Sequence, residues 1–126
     1  MELPSIIKAS KDNDLKTLNQ EIKGGADVNQ TASNGSTALI YAAQNNNLEA
    51  VKILIKSSAD PGIENKVGGT ALNRAAGNGN LEMVNFLLAN GARPDNVALI
   101  SAAREGYLET VKRLIEAGCE INYKQR

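Results

Sequence analysis

Shifted by 33 residues, the stretch 68–94, GGTALNRAAGNGNLEMVNFLLANGARP, falls on 35–61, GSTALIYAAQNNNLEAVKILIKSSADP. The Thr-Ala-Leu triplets, the Ala-Ala pairs and the Leu-Glu pairs all coincide. A second shift of 33 brings the start of the chain into looser register, with Ala9 on Ala42, Leu15 on Leu48, Leu18 on Val51 and Ile22 on Ile55. Self-similarity at such a period means that each repeat is one small unit, which buries its apolar face only by stacking on its neighbours. The chain is therefore expected to form a layered stack and not a globule around one large core.

Each unit reads as helix, turn, helix and loop. Residues 4–13 predict a short first helix, and Asp14 precedes a second, Leu15 to Ile22, whose apolar residues keep i, i+3, i+7 spacing. Gly24-Gly25 ends it, because glycine enters the left-handed region without a Cβ penalty. In the second unit Thr37 caps a helix over Ala38 to Asn45, Asn46-Asn47 turns the chain, and Leu48 to Lys56 forms the partner helix. Ser57-Ser58 stands where the first unit has Gly-Gly, which makes a weaker stop. Polar, turn-prone residues such as Gln30 to Gly35 predict a short exposed hairpin between units.

The last unit departs from the period. Ala98-Leu99 follows Ala71-Leu72 by 27 residues, and the register on both sides places the six-residue deletion in the connecting loop. Asp95 then caps the next helix directly, leaving no room for a projecting finger. The units fall at about 4–34, 35–67, 68–95 and 96–126, in a single domain. One second-helix column reads Gln20, Ile53, Phe86, Arg113, apolar in the middle and polar at both ends. Terminal repeats need polar outer faces, so the first and last units are expected to act as caps on a complete four-unit stack.

Composition narrows the function. Fourteen basic and fourteen acidic residues leave no net charge to draw the chain to nucleic acid or anionic lipid. There is no histidine and one cysteine, Cys119, so neither cysteine–histidine zinc sites nor histidine-based acid–base catalysis is expected. No Gly-x-Ser-x-Gly elbow or phosphate-loop motif occurs. Glu49, Glu82 and Glu109 recur at the starts of second helices, where they suit the helix dipole and not a paired-carboxylate active site. With no leader-like start and no apolar run of membrane-spanning length, a cytoplasmic, monomeric protein without cofactor or metal is expected.

The residues Gly35-x-Thr37-Ala38-Leu39-x-x-Ala42-Ala43, then Leu48-Glu49-x-Val51, Ile55 and Ala59-Asp60, resemble the ankyrin repeat. Gly68 through Gly91-Ala92, and Ala98-Leu99 through Gly118, carry the same pattern. The resemblance covers nearly the whole chain and implies an all-α ankyrin solenoid of four helix-turn-helix units with short β-hairpin loops. Ala38 and Ala71 replace the proline of the family's Thr-Pro-Leu-His, and Ile40, Asn73 and Ile100 replace its histidine. Loss of that imidazole removes a hydrogen bond between loops, so looser hairpins are expected.

What the resemblance implies is binding of another protein on the concave surface made by the hairpin tips and the first helices. Carried over by position, the contact candidates are Ser33, Asn34, Ser36, Tyr41, Gln44 and Asn45 in the second unit. In the third they are Lys66, Val67, Gly69, Arg74, Gly77 and Asn78, and in the fourth Arg104 and Glu105. The set is mostly small and amide-bearing, and it reads equally as solvated turn residues. Arg74 has two readings, a cation–π stack on Tyr41 or an anchor for an acidic group of a partner. Cys119, where other units have alanine, reads as a small buried thiol. Two further functional readings stand beside the general binding module: a dedicated inhibitor or immunity protein that blocks one enzyme or toxin, and an adaptor with several weak partners.

Overall fold

In a computed structural model, residues 3–118 are described. They form eight helices in four pairs: α1 (Ser5–Lys11) with α2 (Leu15–Lys23), α3 (Ala38–Gln44) with α4 (Leu48–Lys56), α5 (Ala71–Gly77) with α6 (Leu81–Ala89), and α7 (Asn96–Glu105) with α8 (Leu108–Glu116). Side-chain caps fix the starts of most of them. Thr37 accepts from the Ile40 amide at 3.2 Å. Thr70 accepts from Asn73 while the Asn73 carboxamide accepts from the Thr70 amide, both at 3.1 Å, which closes a reciprocal capping box. Asp95 accepts from the Ala98 amide at 2.6 Å, so α7 begins as soon as the shortened connection ends. Cys119 lies outside the described residues, and with it the reading of a buried thiol.

The pairs stack into two layers. First helices α1, α3, α5 and α7 pack on one another more closely than second helices α2, α4, α6 and α8 do. The sequence accounts for the difference, since Ala42, Ala43, Ala75, Ala76 and Ala102 are all buried on first helices and let backbones approach. Larger side chains fill the space between the layers: Leu18, Leu39, Val51, Leu54, Leu72, Met83, Val84, Leu87 and Leu114 are each at most 1 % exposed. They form one continuous aliphatic cluster running through every unit. Closer spacing in one layer than in the other curves the stack toward its first helices.

Asparagines tie consecutive units together, a role not anticipated from the sequence. Asn45 Nδ2 donates to the Lys11 carbonyl at 3.0 Å, and Asn47 Nδ2 to those of Ser10 and Lys11 at 2.9 and 3.2 Å. One unit on, Asn78 Nδ2 donates to the Ala43 and Gln44 carbonyls at 3.1 and 3.0 Å. Each amide reaches carbonyls in the last turn of the preceding first helix, where intrahelical donors run out. The equivalents in the fourth unit are Glu105 and Tyr107, which carry no such amide.

The loops are tight turns with little strand character. Thr31 and Thr37 form an isolated antiparallel bridge, and no longer ladder exists among the described residues. Both fingers close alike: the Ala32 amide donates to Ser36 and Gly35 to Ala32, as Asn65 donates to Gly69 and Gly68 to Asn65. The loops carry side-chain bonds that the expectation of looser hairpins did not count. Asn73 Nδ2 donates to the Gly68 carbonyl at 3.1 Å, in place of the missing imidazole. Asn65 Nδ2 donates to Ser36 Oγ at 3.0 Å, and the Lys66 amide donates to the Asn34 carbonyl at 2.9 Å, which joins one finger to the next.

The fourth unit does not present a wholly polar outer face. Arg113 is polar as its column predicts, and its Nε donates to Asn85 Oδ1 at 2.6 Å. Val97, Ile100, Leu108 and Ile115 are exposed, however, whereas Thr70 and Asn73, which hold the positions of Val97 and Ile100 one unit earlier, are buried.

Candidate functional site

The inner face is built by columns of equivalent first-helix positions. One runs Lys8, Tyr41, Arg74, Ser101; the next Lys11, Gln44, Gly77, Arg104; a third Asp12, Asn45, Asn78, Glu105. The fingers at Ser33–Asn34 and Lys66–Val67 stand beside them, and no finger precedes α7.

The candidate residues divide by what they do in the fold. Ser36 is buried, 3 % exposed, and its hydroxyl accepts from Asn65 Nδ2. Asn34 is exposed, but its Oδ1 accepts from the Ser36 amide and its Nδ2 donates to the half-buried Tyr41 hydroxyl at 3.2 Å. Asn45 and Asn78 each commit Nδ2 to the preceding unit and turn the remaining amide capacity outward. Ser33, Gln44, Lys66, Arg104 and Glu105 are exposed, with side chains that make no hydrogen bond or ion pair among the described residues. Val67 at the finger tip is 82 % exposed. Gly69 is buried, and a Cβ there would come within 2.9 Å of Arg74 Cζ and Nε.

Arg74 lies over no aromatic ring, so the reading of a stack on Tyr41 is corrected. Its guanidinium packs against Gly69 at the base of the third finger. Arg74 Nε is shielded and has no hydrogen-bond acceptor. With Gln44, Asn73, Gly77, Asn78 and Ser101, Arg74 lines an open recess of about 230 Å³ between α3, α5 and α7.

The face is cationic although the chain is neutral. Lys8 is bridged to Asp12 at 2.7 Å, and this contact holds the Asp12 carboxyl below its ordinary range. Lys11, Lys66, Arg74 and Arg104 then stand against Glu105. The sequence reading missed this bias because it weighed finger tips one by one and left out Lys11. Chemically the surface offers amide, hydroxyl and guanidinium donors for recognition. Among the described residues no group of three or more acidic or thiol ligands could hold a metal ion, and no helix is long and apolar enough to cross a membrane.

Residues 6–98 and 59–125 match the family described as ankyrin repeats (3 copies), which together leave out only the first five residues and the last. The chain belongs to the ankyrin-repeat family, whose members generally serve as protein–protein interaction modules and are typically not catalysts. No curated protein sequence matches this chain significantly.

Proposed function

We propose that this protein is a cytoplasmic, monomeric binding module that recognises one or more partner proteins on its inner face and carries out no chemistry itself. The observation that carries this reading is the row of exposed side chains, Ser33, Gln44, Lys66 and Arg104, that spans three units and makes no hydrogen bond or ion pair among the described residues. Ser36, Asn45 and Asn78 on the same side each make such a hydrogen bond. Arginine is favoured in the centres of protein interfaces, and Val67 adds apolar area at a finger tip.

The test is affinity capture from lysate of the source cell with two matched baits, the parent and Ser33→Glu/Lys66→Glu/Arg104→Glu. Because the three sites are exposed and make no internal bond, the variant is expected to fold as the parent does by circular dichroism. A protein retained by the parent and lost from the variant supports the inner face. Equal retention by both moves binding to the second-helix side. One partner at nanomolar Kd would mark a dedicated inhibitor, and several at micromolar Kd an adaptor.

A further inference from the structure

We infer that the recess between α3, α5 and α7 is a carboxylate-binding site, in which Arg74 receives an aspartate or glutamate side chain of the partner protein. The inference rests on the inner-face reading and names the chemistry that face selects. A guanidinium stays charged at every accessible pH and presents five donors in a rigid fork that matches a carboxylate. Among the described residues none of those donors meets an acceptor, and the shielded Nε is the only buried side-chain nitrogen or oxygen of those residues left without a partner. Arg113 makes the contrast, since its Nε is taken by Asn85. The carboxylate meets the terminal Nη groups of Arg74, which are not closed off as Nε is and likewise have no acceptor, while the shielded Nε fixes the fork at the base of the finger.

The surroundings are arranged to admit an anion. The recess is lined by neutral residues beside Arg74, with no acidic side chain among them. Asn73 and Asn78 already donate to backbone carbonyls, which leaves the Gln44 amide and the Ser101 hydroxyl to add hydrogen bonds to a second carboxylate oxygen. Packing against Gly69 restricts the guanidinium before any ligand arrives, which lowers the ordering cost of binding. The six-residue deletion before α7 removes the finger that would otherwise stand beside Ser101. Lys11 and Arg104 lie in the adjacent column and favour an acidic segment on either side.

The test uses the folded protein alone. Arginine Nε–Hε resonances are followed by NMR while sodium acetate replaces sodium chloride at constant ionic strength, with Arg74→Lys used to assign the Arg74 signal. The Arg74 signal is expected to move saturably and several-fold further than those of Arg93 and Arg104. Movement no larger than theirs overturns the site. Ser101→Asp supplies a carboxylate from within the recess, and should shift the Arg74 signal without acetate and blunt the titration; an unshifted signal in a folded variant also counts against the inference. Because no partner is present, this experiment can fail while the capture experiment succeeds. That combination would mean the inner face is used without a carboxylate anchor.

Discussion

Ser58 holds a left-handed φ of +75° at the end of α4, where Gly25, Gly91 and Gly118 occupy the same column of the repeat with φ of +90°, +99° and +113°. The conformation costs a non-glycine residue about 1–2 kcal/mol, of which glycine's greater freedom in the unfolded chain returns about half. Ser58→Gly is therefore expected to stabilise the protein by about 0.5–1 kcal/mol, read as a higher urea midpoint with an unchanged slope. The turn between paired helices shows the opposite case. Gly79 and Gly106 have φ of +68° and +80° in one column, but a Cβ on Gly79 would sit 2.8 Å from the Tyr107 ring, while one on Gly106 would meet nothing within 4 Å. Gly106→Ala should cost about 1 kcal/mol through backbone strain alone, and Gly79→Ala about 2–3 kcal/mol because the ring must also move. Equal losses in chemical denaturation would show that Tyr107 does not pack as described.

At the scale of single helices, the N-terminal unit depends on a charged cap. Asp14 accepts from the Thr17 amide at 3.1 Å at the start of α2, and hydrogen bonding from the Thr17 side chain first, then from that amide, holds its carboxyl below the ordinary range. A depressed folded-state pKa stabilises the fold above the unfolded value near pH 4 and loses that contribution as pH falls through the folded value. Asp14→Asn keeps an oxygen acceptor without the charge, so its melting temperature should fall less than the parent's between about pH 4 and pH 2. Helix positions and caps were legible in the sequence because they are local: Thr37 and Asp95 bond amides three residues away, while the six-residue deletion showed as a break in the repeat register. The asparagine bonds were not legible. Asn45 and Asn78 read as polar surface residues, and only the stacking of a unit on the previous one reveals that their amides end on carbonyls 34 or 35 residues back. The stacking reading of Arg74 failed for a related reason. Tyr41 is its neighbour by column, but the guanidinium packs at the base of its own finger, against Gly69.

For the whole molecule, stability in a stack is close to a sum of unit and nearest-neighbour terms. The junction between the third and fourth units lacks the asparagine amide-to-carbonyl bonds of the earlier ones and keeps only the Arg113–Asn85 side-chain bond among the described residues, and the outer side of the fourth exposes Ile100 by 56 % and Leu108 by 74 %. Amides of α7 and α8 should therefore exchange with solvent faster than those of α3 through α6; uniform exchange across all four units would contradict the account of that junction. The central claim is that the inner face is the recognition surface. Its most direct test is amide hydrogen exchange on the protein with and without its captured partner. The account predicts added protection at residues 33–36 and 65–69 and along α3, α5 and α7. Protection confined to α2, α4, α6 and α8 would contradict it.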